Sequence, residues 1–290
     1  MDSLSYDDTG KIDLSDIYNQ PDPRQYFSTL SRLDYRIPQE AKALFQQILE
    51  ARRRASGSES AKVVDVGCSY GVNAALLKFD LTLDELSRHY ETAAGLSRSE
   101  LLARDADFFQ DPADPALEVV GVDAAEQAVR YALDAGILDG AITTNLEAAR
   151  PTAEDAELIA GTDLVISTGC YGYVSDRTFE RILDQCGDSQ PWMAHTVLRM
   201  FDFSEAEQLF DERGYVTEKV EGLVPQRRFA SREERQHTLD NLAAAGIDAS
   251  GLEEEGWYFA ELFVSRPREI AEVLPIGKVL DAPAVLHAAQ

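Results

Sequence analysis

Long apolar runs are missing from this sequence: none approaches the roughly 18 residues that a membrane span needs. The opening stretch MDSLSYDDTGKIDLSD is acidic and polar, without the basic and apolar regions of a secretory signal. These absences argue against a membrane protein or an exported one and lead us to expect a cytoplasmic location. Cysteine is scarce as well. Cys68, Cys170 and Cys186 are the only three, too few for a disulfide framework and without the CxxC spacing of a metal site, so no metal is expected. Bases are outnumbered: 27 Lys and Arg face 52 Asp and Glu, a formal net charge of -25. A field of that sign repels phosphate backbones but does not hinder a small molecule, which leaves nucleic acid an unsuitable partner. The one basic cluster, Arg52 to Arg54, ends a predicted helix and complements the negative end of its dipole.

With 290 residues and a hydrophobic share of 44%, the chain can bury a full core. Residues 1–58 read as a helical extension. Pro23 and Pro38 mark helix starts, and Ala41, Leu44, Phe45 and Ile48 make an apolar stripe at helical spacing. The polar segment ASGSES leads into a main domain over 59–268, in which apolar runs (KVVDVG, LEVVGVD, AITTNL, TDLVIST, PWMAHTVLRM) alternate with helical segments such as AAEQAVRYALDAG. Strands that are apolar at consecutive positions belong to a sheet covered on both faces. The fold class expected is therefore α/β, a doubly wound, mostly parallel sheet of seven strands, with WYFAELFVSRP closing its edge. Between the first two strands lie more residues than a crossover needs. The stretch 79–116 reads as a helical insertion with caps at Thr82 and Ser97, and 269–290 as a C-terminal tail.

The segment VVDVGCSYG has the strand and turn of a nucleotide-binding loop but lacks the glycines of the dinucleotide fingerprint. Ser69 stands where the second glycine lets the backbone approach a pyrophosphate, and Val72 where the third lets helix and strand pack. This argues against NAD and FAD, and no GxxxxGK[ST] is present to cradle a triphosphate. A nucleoside with no phosphate escapes the objection.

At this point the residues resemble motif I of the class I S-adenosylmethionine-dependent methyltransferases. VVGVDAAEQAV resembles that family's second strand, ITTNLE its third strand and adenine loop, and TDLVISTGCYGYV its fourth strand and the loop beside the methyl group; the ordered set covers roughly residues 60–266. The resemblance implies S-adenosylmethionine as cofactor, held by Asp65, Gly67, Cys68, Ser69, Gly71, Asp123, Ala124, Asn145, Leu146, Ser167, Thr168 and Gly169. Asp123 would accept the ribose hydroxyls, although an aspartate before AAEQAV also suits a helix N-cap. Asn145 and Leu146 depart from the acid that often meets the adenine amine in that family.

Methyl transfer from a sulfonium disperses positive charge, so the protein chiefly orients its reactants and excludes water. Tyr171 and Tyr173 follow the fourth strand at its carboxyl end and can hold a cation over their rings. His195 can serve as a base near neutral pH, but it lies inside a strand-like run, where a histidine is also read as a satisfied core residue. Tyr18, Tyr26, Tyr35 and Arg36 are expected to form a lid and acceptor pocket. Three functions remain open on these residues. The first is methyl transfer to a small molecule, expected in secondary metabolism. The second keeps the cofactor but reacts its aminobutyrate chain, for example by closure to azetidine-2-carboxylate with release of methylthioadenosine. The third is a non-catalytic S-adenosylmethionine sensor with an apolar partner surface in the tail. The oligomeric state is open, and a homodimer is compatible with the sequence.

Overall fold

A strand that is apolar at consecutive positions must find cover above and below, and β1 (Ala61–Val66), buried at all but Lys62, finds both. Val63 contributes to a core on one side of the sheet and the next residue, Val64, to a core on the other, as the two-residue period of a strand dictates. The computed structural model describes residues 6, 7, 9–12 and 14–281. Ahead of β1, α1 (Ser15–Tyr18), α2 (Arg24–Ser31) and α3 (Ile37–Ser56) form a helical layer. Ala41, Leu44, Phe45 and Ile48 face the first core. Gly57, with φ of 70°, ends α3 in the left-handed conformation that glycine adopts without strain. Pro23 stands just ahead of α2, which begins at Arg24. The Asp22 carboxylate accepts that residue's backbone N–H at 3.1 Å and grips its guanidinium at 2.7 Å.

After β1 come α4 (Val72–Lys78), α5 (Leu83–Glu91), α6 (Arg98–Phe108), β2 (Leu117–Val122), α7 (Glu126–Asp134), β3 (Gly140–Ile142), α8 (Ala153–Ile159), β4 (Leu164–Thr168), α9 (Asp176–Leu183) and β5 (Trp192–Leu198). The expected caps of α5 and α6 are present as capping boxes, Thr82 with Glu85 and Ser97 with Glu100. These two helices are fastened to the body by a buried network. Asp105 accepts from Tyr131 of α7 at 2.6 Å and from Tyr90 at 3.2 Å, and lies 2.6 Å from the His89 ring. The Tyr90 ring stacks on Phe27 of α2, which joins the stretch 79–116 to the N-terminal helices.

The chain closes with α10 (Ser204–Glu212), β6 (Tyr215–Lys219), β7 (Val224–Arg228), α11 (Arg232–Ala244), β8 (Trp257–Pro267), α12 (Arg268–Val273) and α13 (Ile276–Val279). The sheet order is β3-β2-β1-β4-β5-β8-β6, with β7 also on β8. The strands β3, β2, β1, β4 and β5 are mutually parallel, and β8 enters antiparallel to β5. Because β6 pairs with residues 263–267 of β8 and β7 with residues 257–260, the two short strands lie end to end in one lane. The result is the expected doubly wound, mostly parallel sheet of seven lanes. WYFAELFVSRP therefore does not close the edge as expected; it is the inner strand against which β6 and β7 form the edge. In the tail, Val279 and Leu280 are buried while Val273 is 75% exposed, and residues 282–290 lie outside the described residues.

One buried carboxylate joins three parts of this architecture. Glu234 of α11 receives both guanidinium nitrogens of Arg227 of β7, at 2.7 and 3.0 Å, and the backbone N–H groups of Ile12 at 2.8 Å and Ala230 at 2.7 Å. Removing one member of a buried pair strands the other charge, a loss of about 3–5 kcal/mol. Glu234→Ala is accordingly expected to lower unfolding free energy by about that amount in urea denaturation, and a loss under about 1 kcal/mol would contradict the role given to this pair.

Candidate functional site

The parallel register sets the site. Val66 pairs with Val122 on one side and Ser167 on the other, so β1, β2 and β4 end together, where ligands bind in sheets of this class. A cavity of about 460 Å³ opens there.

Its floor is the loop Gly67, Cys68, Ser69. Gly67 has φ of 73°, and a Cβ at that position would stand 2.7 Å from the Cβ of Cys170; the glycine serves the close approach of two loops. Ser69 adopts φ of 48°, in the left-handed region, and its Oγ is buried without a partner. At the end of β2, Asp123 accepts the Ser69 N–H through one carboxylate oxygen and the Ala125 N–H through the other, each at 2.9 Å. Burial outweighs these bonds and raises its pKa. Each oxygen keeps acceptor capacity toward the cavity, which Ala124 also lines. The N-cap-like bond to Ala125 and a ligand-binding role are thus compatible in one carboxylate.

One flank carries Thr144, Asn145, Leu146 and Glu147. The Asn145 Oδ1 accepts the Glu147 N–H at 2.9 Å. Burial pushes the Glu147 carboxyl up, but hydrogen bonds from Ser175 and Thr178 outweigh it and hold the group below its ordinary range. Glu147 was not among the residues expected. Its signal in the sequence was an acid one position beyond Leu146, in the loop where an adenine-contacting acid was sought.

The other flank is Thr168, Gly169, Cys170 and Tyr173. Across the top lie Lys11, Leu14, Tyr18, Tyr26 and Tyr35 from the N-terminal segment, with Gln226 and Arg227 from β7. The tyrosines pack edge to face, Tyr18 with Tyr26 at 5.5 Å and Tyr26 with Tyr35 at 6.3 Å. Tyr173 donates its hydroxyl proton to Asp7 at 2.6 Å.

Six of the expected site residues do not line this cavity. Asp65 is fully buried behind Asn73, whose side-chain amide donates to the Asp65 Oδ1 at 2.9 Å and to the Thr168 Oγ1 at 3.2 Å, so that Asn73 is the residue presented. Burial pushes the Asp65 carboxyl up to about 7, with the Asn73 bond opposing and the charge of Asp123 adding to the rise. Gly71 sits against Ile137, where a Cβ would approach to 2.8 Å; it starts α4 and packs that helix. Arg36 lays its guanidinium over the Trp257 ring, 4.4 Å from its centre, and so does not join Tyr18, Tyr26 and Tyr35. Tyr171 points to the opposite side of its loop from Tyr173, because Gly172, with φ of 102°, turns the chain between them. Its ring packs against Phe179 and Phe203 in the second core. His195 and Ser167 are held in that same region on β5 and β4. They bond each other at 2.9 Å through the Ser167 Oγ and the His195 Nδ1, with Phe179 at 4.3 Å from the imidazole. His195 is a core histidine, and no catalytic role is assigned to it or to Tyr171.

The described residues contain no group of His, Cys, Asp and Glu that could hold a metal ion, and no helix long and apolar enough to cross a membrane. The site offers acceptors at the end of β2 and in the loop after β3, an aromatic enclosure, and two basic side chains, Lys11 and Arg227.

No protein-family model and no curated protein matches the chain. Solved structures with a similar fold include the plantazolicin methyltransferase BpumL in complex with SAH, at 12% identity, covering 88% of this chain and 93% of that one, with a TM-score of 0.43. Magnesium protoporphyrin IX methyltransferase (ChlM) from Synechocystis PCC 6803 with bound SAM is 13% identical over 77% of this chain and 79% of that one, TM-score 0.36. A cyclopropane-fatty-acyl-phospholipid synthase-like protein from Lactobacillus casei ATCC 334 is 12% identical over 84% of this chain and 97% of that one, TM-score 0.37. At these identities and scores, what those proteins bind and do stays with them.

The placement of His195 has a measurable consequence. Burial drives its pKa down to about 3, so the folded ring refuses a proton that the unfolded ring takes up near pH 6.5. Its contribution to stability is complete above about pH 6.5 and lost as the pH falls toward the folded value. The His195 ring signals are expected to stay fixed in NMR spectra between about pH 8 and 5; a titration centred near the ordinary value would show that the ring reaches water.

Proposed function

We propose that the chain is an S-adenosylmethionine-dependent methyltransferase acting on a small-molecule acceptor. The observation that carries this reading is the company Asp123 keeps. An acid with free acceptor capacity at the end of β2 shares one cavity with Tyr18, Tyr26, Tyr35 and Tyr173, above a loop, residues 67–71, that has no lysine or arginine. That combination suits a nucleoside whose ribose meets the acid and whose cation meets the rings, on a loop that offers a phosphate no basic side chain. Ribose hydroxyls donate to Asp123, the adenine lies along Asn145, Leu146 and Glu147, and the sulfonium faces tyrosine rings, each worth about 0.5–2 kcal/mol to a cation. Gly67, Cys68, Ser69, Ala124, Thr168 and Gly169 complete the enclosure. Residues 1–58 act as the lid of a domain spanning 59–268, and their tyrosines exclude water from the sulfonium. A volume of about 460 Å³ lies in the lower half of the range of single-ligand pockets, roughly 300–1,000 Å³, which favours a small acceptor over a macromolecule.

The same volume favours one second reading. A pocket largely filled by the cofactor suits attack within the cofactor itself, in which the amine of the aminobutyrate chain displaces methylthioadenosine.

Mass spectrometry of purified protein incubated with S-adenosylmethionine separates the two. S-adenosylhomocysteine is expected to appear when the small-molecule fraction of a cell extract is supplied. Methylthioadenosine formed without any acceptor would select the second reading, and failure of S-adenosylmethionine to bind would contradict both.

A further inference from the structure

Lys11 reaches the cavity, yet neither the fold nor the cofactor reading employs it. It belongs to the N-terminal segment beside Ile12, whose backbone N–H is fixed by Glu234, and it is only 5% exposed. Its Nζ stands 4.8 Å from the centre of the Tyr173 ring and 5.6 Å from that of Tyr258. Among the described residues no carboxylate forms an ion pair with it, whereas the buried Lys42 and Lys78 pair with Asp80 and Asp139. The acids nearby are already engaged. Glu234 is taken by Arg227 and two backbone N–H groups, and Asp7 by Thr9, Tyr173 and the Lys11 backbone N–H.

We propose that Lys11 is the general base of the transfer, taking the proton from the acceptor atom that attacks the methyl group. The inference rests on the methyl-transfer reading above and adds the acceptor's class: a nucleophile that carries a proton to be lost, such as a hydroxyl or a neutral amine, rather than a ready carboxylate. In the step, the acceptor atom forms a bond to the methyl carbon, and the carbon–sulfur bond breaks with its electron pair passing to sulfur. The proton of the nucleophile goes to the Lys11 Nζ lone pair and from there to water.

The surroundings support an amine that is free of its proton. Burial pushes the Lys11 pKa down to about 7 and the guanidinium of Arg227 pushes the same way, while Asp7, Glu234 and Cys170 oppose. Burial raises the Cys170 thiol to about 12 and also raises the Tyr173 and Tyr258 hydroxyls, so all three are neutral near neutral pH and give the ammonium no full counter-charge. Lysines tuned in this way are suited to general base work. Activity should then rise with pH through about 7, as the neutral amine accumulates.

The test follows S-adenosylhomocysteine release from S-adenosylmethionine and the small-molecule fraction of a cell extract, alongside calorimetric binding of S-adenosylhomocysteine. Lys11→Ala is expected to slow release about a hundredfold or more, to lose the acid limb of the pH profile, and to bind S-adenosylhomocysteine within about twofold of the parent. Added ethylamine is expected to restore part of the rate, which a purely structural lysine would not allow. Retention of the acid limb in Lys11→Ala, or parental activity in Lys11→Arg, would overturn the proposal while leaving the cofactor reading intact. Absence of S-adenosylhomocysteine binding by the unaltered protein would remove the cofactor reading and this inference with it.

Discussion

The site depends on the register that sets β1 between β2 and β4. Pairing Val66 with Val122 and with Ser167 brings three strand ends to one level, and a shift of one residue would exchange every buried face of β1. From that register follow the positions of Asp123, the Ser69 amide it accepts, and Thr168 across the cleft. The Ser69 conformation also follows: a non-glycine residue held in the left-handed region costs about 1–3 kcal/mol, and the bond from its N–H to Asp123 offsets part of that.

The register makes a floor and flanks. The roof comes from segments far apart in the chain, where Ile12 and Arg227 meet on Glu234. Tyr70 adds a second tether: its hydroxyl contacts the Ile17 and Gln20 carbonyls and accepts the Gln20 N–H at 2.9 Å. The glycine loop is therefore joined by hydrogen bonds to the N-terminal segment.

Much of this was legible in the sequence because it is written locally. Consecutive valines gave the buried strands, Thr82 with Glu85 and Ser97 with Glu100 gave the helix starts, and an acid after VVGV gave Asp123. What the sequence did not disclose depends on orientation or on distance along the chain. Tyr171 and Tyr173 are indistinguishable as text, yet the turn at Gly172 sends one into the second core and the other into the cavity. Asp65 stands at a strand end but is screened by Asn73, a helix residue with no local signal. His195 looked available because histidine titrates near neutrality, whereas strand alternation on β5 turns it toward Phe179. Lys11 and Arg227 are brought together only by folding, and no spacing rule connects them.

The central claim is that the cavity holds a sulfonium nucleoside with its ribose on Asp123. Calorimetric titration of S-adenosylhomocysteine into the protein and into Asp123→Ala tests it most directly. Loss of two charge-assisted hydrogen bonds, each worth about 1.5–3 kcal/mol, predicts binding weaker by about a hundredfold or more in the variant. Equal affinity for the two proteins would contradict the account.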